Sequence, residues 1–329
     1  MIAVEDLRKT YGDFPAVVGS SFEVERGEIF GVVGPNGAGK TTTLKMLAGL
    51  VEPTSGTARV ADRPAGAPET RQRLGFLPEE SPLYEDMTPL SYLRFFADLY
   101  DVPRETADER IGDALDELEL EHRERRLGDV SKGMKRKVAI ARSLVNDPEV
   151  LIYDEPASGL DPLTTNYVLE FTRELSASGK TIVFSAHNLY HVESVCDRVV
   201  IMNRGQIIAR GTLAGIRERH GETTYRVYTT VPVEGAERDE PAVVGARGGE
   251  SGAGTDRVST PKGRSNDGID DRYVAEVDSM DGVESIREAA LTAGGRVVDI
   301  RTREPSLEDV FLDLAGEPPA DDPRGEGTR

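Results

Sequence analysis

With 329 residues, 38% of them hydrophobic, the chain is long enough for two domains with buried cores. It holds no apolar run near the ~20 residues needed to span a bilayer, and Cys196 is its one cysteine, so neither a membrane span nor an intrachain disulfide is expected. A net charge of −19 weighs against nucleic acid as a primary partner, because phosphate repels an acidic surface. Lysine stands only at positions 9, 40, 45, 132, 135, 137, 180 and 262, every other basic residue being arginine. This is the balance of proteins that work in high salt, where screening would weaken that repulsion. The first residues, Met1 to Asp6, show no basic-then-apolar signal pattern, and with the single cysteine this predicts a cytoplasmic setting.

Residues 1–27 read as strands around a turn at Gly12-Asp13-Phe14. Tyr11 lies in this turn-prone stretch, where its ring either stacks on a nucleobase or packs in the turn. Glu28 to Val33 reads as a short buried strand that runs straight into Gly34-Pro35-Asn36-Gly37-Ala38-Gly39-Lys40-Thr41-Thr42. This matches the phosphate-binding pattern G-x-x-x-x-G-K-[ST] in full, between a strand and a helix that ends before Gly49. Gly34, Gly37 and Gly39 let backbone N–H groups turn inward, and the helix start adds unpaired donors. Lys40 supplies a charge to the β- and γ-phosphates and Thr41 a hydroxyl to Mg²⁺. Asn36, Ala38 and Thr42 complete the candidate cradle.

Beyond a turn at Pro53 to Gly56, Thr57 to Ala61 and Leu74 to Leu77 read as strands, the second closed by Pro78 and followed by Glu79-Glu80. Residues 88–148 turn helical: Thr88 caps, Pro89 takes the first position, and Tyr92, Leu93, Phe96 and Leu99 recur at helical spacing as core residues. Ile111, Leu115 and Leu118 form a second apolar face. Ser131 opens a third helix whose first turns carry Lys132, Lys135, Arg136 and Lys137, where the helix dipole prefers anions. Either this is a solvated basic face, or the helix start meets a phosphate with Ser131 and the Gly133 N–H as donors. Val150 to Glu155 is an apolar strand ending in two carboxylates, suited to Mg²⁺ at Asp154 and to water activation at Glu155. Asp161 caps the next helix with Pro162 behind it. Thr181 to Ser185 is a buried strand leading to His187, placed to reach a γ-phosphate. His187, His191 and Cys196 fit no common zinc spacing, and His191 is expected on a helix surface. Arg198 to Met202 and Gln206 to Ala209 read as a hairpin around Asn203-Arg204-Gly205.

Taken in this order, the motifs of residues 1 to about 215 resemble the nucleotide-binding subunit of ABC transporters. Tyr11 resembles the aromatic A-loop, Gly34 to Thr42 the Walker A loop, and Ser131-Lys132-Gly133-Met134 the signature loop. Leu151 to Glu155 is similar to Walker B, Ser158 to Asp161 to the D-loop, and His187 to the switch histidine. Val130, Lys132 and Met134 replace the usual Leu, Gly and Gln of the signature, and Glu79 stands at the glutamine-loop position. A carboxylate there can ligand Mg²⁺ but, when ionised, cannot donate to water.

The segment Glu304 to Phe311 is similar to the ending of a group of exporter ATPases, sodium-efflux and multidrug-like, whose membrane subunit is a separate chain. The resemblance implies ATP and Mg²⁺ as ligands, with Lys40, Glu155 and His187 catalytic and Thr41, Asp154 and Glu79 at the metal. It implies Tyr11, Gly34 to Thr42, Ser131, Gly133 and Asp161 at the nucleotide, which is shared head to tail by two copies, or by this chain and a paralogue. The partner would be a polytopic permease docking near Ser81 to Thr88, at the cytoplasmic face of the cell membrane, with no nucleic acid involved. The alternative is a soluble ATPase of the same type acting on ribosomes or DNA. Such proteins commonly carry two cassettes or long inserted arms, whereas this sequence has one Walker A loop and no repeat. A stand-alone P-loop kinase or GTPase would leave Ser131 and His187 idle, and no Asn-Lys-x-Asp segment is present.

The expected fold is α/β. It comprises a P-loop ATPase core with an antiparallel β subdomain and a helical subdomain over residues 1–217, then a small C-terminal α/β accessory domain over 218–316. Within the latter, Thr224 to Val231, Tyr273 to Val277 and Arg296 to Arg301 read as strands, and Val283 to Leu291 and Ser306 to Leu314 as helices. A disordered insertion over about 234–271 and a disordered tail over 317–329 follow from their poverty in large apolar residues.

Overall fold

The computed structural model describes residues 1–221, 223–238, 272–303 and 305–316, in two compact units. The first joins Met1–His220 to the segment that starts at Leu307; the second is Gly221–Ser306.

The first unit begins with strands β1 (Ile2–Tyr11) and β2 (Phe14–Val24), then β3 (Ile29–Val33) and helix α1 (Lys40–Leu47). Next come β4 (Ser55–Val60), β5 (Arg63–Pro64), α2 (Pro68–Gln72) and β6 (Leu74–Leu77). The helical stretch holds α3 (Pro89–Leu99), α4 (Arg104–Glu117) and α5 (Lys132–Leu144). There follow β7 (Val150–Asp154), α6 (Pro162–Ala177), β8 (Thr181–Ala186), α7 (Leu189–Val195), β9 (Arg198–Asn203), β10 (Gln206–Thr212) and α8 (Leu213–His220).

A six-stranded sheet in the order β10-β9-β3-β8-β7-β6 forms the centre; its inner neighbours run parallel and β10 pairs antiparallel at the edge. Strands β3, β7 and β8 are buried at every residue, which is why they read as unbroken apolar runs rather than alternating ones. Alternate residues face two cores: Leu151, Tyr153, Ile182 and Phe184 face the helical layer, while Val150, Ile152, Val183 and Val32 face α1 and the four-stranded antiparallel sheet β2-β1-β4-β5. In α3, Thr88 and Ser91 form a reciprocal capping box. Tyr92 and Leu93 are buried, but Leu99, expected in the core, is 62% exposed at the helix end.

The parallel register decides where chemistry can occur. Val33 pairs with Ala186, Asp154 with Ser185, and Leu77 with Tyr153. The carboxyl ends of β3, β8, β7 and β6 therefore lie side by side, and the loops beginning there carry Gly34, His187, Glu155 and Glu79 along one edge.

The second unit has a four-stranded antiparallel sheet in the order β12-β13-β11-β14: β11 (Thr224–Thr229), β12 (Ala236–Arg238), β13 (Tyr273–Val277) and β14 (Val297–Arg303). Its helix is α9 (Met280–Thr292). Strand β12 falls where the insertion was expected to start; residues 239–271 and 317–329, the remainder of that insertion and the tail, lie outside the described residues.

One helix changes sides. The sequence assigns 306–314 to the small domain, yet α10 (Leu307–Gly316) packs in the first unit, with Leu307 and Val310 wholly buried in its core. The Leu307 N–H donates to the Glu193 carboxylate of α7 at 3.0 Å, and Arg217 of α8 pairs with the same carboxylate at 2.7 Å. Two apolar side chains at helical spacing found the larger core, a choice that periodicity alone does not reveal.

Candidate functional site

The loop between β3 and α1 is shaped by close approach. At Gly34 a Cβ would lie 2.2 Å from the Met202 carbonyl oxygen, and at Gly39 (φ +100°) 2.6 Å from that of Ala16. No side chain fits at either place, so the loop can press against β9 and β2. At Gly37 a Cβ would meet nothing within 4 Å. That face is open and belongs to a cleft of ≈ 170 Å³ lined by Asn36 to Thr42, with Glu79 and Glu155 opposite. Lys40, 6% exposed, turns its ammonium into the loop and donates to the carbonyls of Gly34 (2.8 Å) and Pro35 (3.3 Å).

The ends of β7 and β8 complete the cleft. Glu155 is buried and sits in the left-handed region at φ +49°, which costs a non-glycine residue about 1–3 kcal/mol. Its N–H donates to Ser185 Oγ at 3.0 Å, while the Ser185 hydroxyl donates to Asp154 Oδ1 at 2.6 Å. One serine thus holds both acids. Glu155 Oε1 lies 3.5 Å from Lys40 Nζ, and Oε2 lies 2.7 Å from His187 Nδ1. Lysine, glutamate and histidine form a continuous chain from the buried loop to the half-exposed imidazole. Four residues on, burial first and the neighbouring His187 second push His191 below the usual histidine pKa.

Other expected residues stand apart from this cleft. Ser131 is exposed, and its hydroxyl accepts the Met134 N–H at 3.2 Å as the cap of α5. Gly133 packs beside Thr164. The Asp161 carboxylate is taken up by capping α6, accepting from the N–H groups of Leu163 and Thr164 and from the Thr164 hydroxyl. Tyr11, 47% exposed, lies under the Lys9 ammonium and does not line the cleft; Phe14, its register partner across the turn, does. The basic residues of α5 turn in different directions. Lys135 pairs with Glu85, Lys137 lies 3.9 Å above the Tyr167 ring, and Arg136 is buried.

Ser185 and Phe14 are the residues that sequence reading passes over. A hydroxyl closing an otherwise apolar strand was the signal for the first, and an aromatic two residues before Ala16 for the second.

The ABC transporter family model matches residues 17–158. The linearmycin resistance ATP-binding protein LnrL of Bacillus subtilis (strain 168) is 32% identical, over 96% of this chain and 98% of its own. The Nod factor export ATP-binding protein I of Ralstonia nicotianae is 41% identical, over 64% of this chain and 67% of its own. Among solved structures, an ATP-binding subunit of an ABC transporter matches with a TM-score of 0.62 at 37% identity, covering 67% of this chain and 93% of that one. A dimeric bacterial ABC transporter cassette matches with a TM-score of 0.60 at 25% identity, covering 65% and 99%.

Proposed function

The chain belongs to the ABC transporter family as an ATP-hydrolysing, ATP-binding subunit, and from that premise we propose that it powers an exporter whose membrane-spanning subunit is a separate chain. Two copies, or this chain and a paralogue, meet head to tail at the cytoplasmic face of the membrane. Each ATP lies between the Lys40 cleft of one and the Ser131 helix start of the other. The observation that carries this reading is the split itself: Glu155 lines the Lys40 cleft and contacts both Lys40 and His187, while Ser131 and Gly133 lie outside that cleft. Among the described residues no helix is long and apolar enough to cross a membrane. The export function printed for the Ralstonia relative supports the direction.

In the mechanism, ATP enters with its phosphates over the open Gly37 face. Lys40 exchanges its loop carbonyls for the β- and γ-oxygens. Glu155, held by Ser185 and His187, accepts a hydrogen bond from the attacking water and orients it in line with the γ-phosphorus. His187 keeps Glu155 in place and faces the γ-phosphate as charge develops. Tyr11, across the turn from the cleft-lining Phe14, stacks on the base.

The donors fit Mg²⁺, a hard cation that takes one or two carboxylates and leaves the rest of its shell to phosphate and water. Thr41 and Glu79 line the Lys40 cleft and would hold the ion there, while Asp154, nearly inaccessible one residue before the cleft-lining Glu155 and fixed by Ser185, would act on it from behind. A bound Mg²⁺ would supply charge neutralisation to the phosphates.

Purification of the full chain from its native membranes tests the assignment. A polytopic membrane protein that co-purifies and stimulates ATP hydrolysis is the expected outcome. Stable association with ribosomes or DNA instead would transfer the chain to the soluble ATPases of the family.

A further inference from the structure

Behind the cleft lies a cation that no step above uses. Arg136, in the second turn of α5, is 7% exposed. Its guanidinium donates from Nε to the Pro156 carbonyl at 2.6 Å, and from Nη1 to the carbonyls of Pro78 at 2.9 Å and Glu79 at 3.0 Å. Nη2 donates to the carbonyls of Asp154 at 3.4 Å and of Glu155. All five acceptors are main-chain oxygens. They belong to two segments, 78–79 and 154–156, that leave the neighbouring strands β6 and β7. Burial pulls its pKa down to about 10, with Asp154 and Glu79 opposing the shift, so the group stays charged at neutral pH.

A charge is expensive to bury, and a planar fork with five N–H donors is the one side chain that can spread it over five carbonyls. Those carbonyls lie on the backbone that carries Glu79, Asp154 and Glu155. We propose that Arg136 is a positioning residue that fixes the spacing of the two acid-bearing loops and transmits the placement of the Ser131 helix start to them. Five residues of helix, ~7.5 Å, separate Ser131 from Arg136. A shift of the helix start therefore moves the fork against both loops together. This rests on the head-to-tail reading above: nucleotide engaged at Ser131 by the opposite copy acts through Arg136 on the Glu155 of this copy, which couples the two hydrolysis sites.

Two variants of the full chain test it, Arg136→Lys, which keeps the charge at a single donor point, and Arg136→Met, which keeps bulk without donors. Hydrogen exchange on the nucleotide-free proteins needs no activity. Faster exchange in both 78–80 and 154–158, with the strands unchanged and melting still cooperative, is expected in each variant. In steady-state hydrolysis, kcat should fall about tenfold in Arg136→Lys and further in Arg136→Met, with KM for ATP moving less than about twofold. The Hill coefficient for ATP should drop toward one. Unchanged exchange in both loops, or a loss of kcat accounted for entirely by the unfolded fraction, would overturn the proposal. An inactive wild-type chain would instead count against the transporter reading, and the exchange result would still decide for or against loop positioning.

Discussion

Two helix starts in this molecule look alike in sequence, each pairing glycine with lysine, and behave in opposite ways. At α1 the capping residue is Gly39 with no side-chain cap, and the adjacent Lys40 is folded inward to Glu155. At α5 the cap is Ser131, satisfied by its own helix, and the neighbouring charges go elsewhere: Lys135 to Glu85, Lys137 to the Tyr167 ring, and Arg136 into the interior. The first start has a prepared enclosure on its own chain. The second is exposed and has its enclosure, on the reading proposed here, on another copy. One chain then carries two half-sites, and the nucleotide is what joins them.

That comparison can be broken at its strongest point first. Glu155→Gln removes the carboxylate that links Lys40 to His187. Turnover is expected to fall by about 10²–10⁴-fold, with ATP retained and dimers accumulating in light scattering. A monomer that turns over at the normal rate would undo it. Next, Ser131→Arg should cut hydrolysis by ~10²-fold while ATP affinity of the isolated chain, measured by titration, stays within about threefold. Full activity there would show that the α5 start serves no nucleotide.

Ser185→Ala sharpens the enclosed side. It strips a donor from Asp154 and an acceptor from the Glu155 N–H, so about 1–3 kcal/mol of stability and about tenfold in kcat should be lost, read by denaturant melts and by hydrolysis rates. The smallest effect belongs to the base. Tyr11→Ala should weaken ATP about fivefold, near 1 kcal/mol, and Phe14→Ala less. The reverse order would move the stack to the ring that lines the cleft.

What could be read without coordinates follows from where the physics is local. The buried runs of β3, β7 and β8, the Thr88 and Asp161 caps and the glycines at 34, 37 and 39 announce themselves, because strand burial, capping and backbone freedom each need particular residues in place. Lys40 at a helix start and Glu155 and His187 just past strand ends could be picked out for the same reason, but not the contacts that link them. Arg136 was not, since a guanidinium among lysines reads as surface charge until the carbonyls of 78–79 and 154–156 are seen converging on it. Ser185 was hidden by its strand, and α10 by a periodicity that fits either core. Each depends on what lies opposite in space, and spacing along the chain does not encode that.

The carboxylate of Glu193 has a broader consequence. Chain departure through α8 and chain return through α10 are moored to it, by Arg217 and by the Leu307 amide. The two ends of the intervening segment 221–306 are therefore fixed within the first unit, whatever the length of chain between them. Such an insertion can be lengthened, trimmed or exchanged over evolution while the ATPase unit keeps its architecture, because lengthening an already closed loop adds little entropy cost.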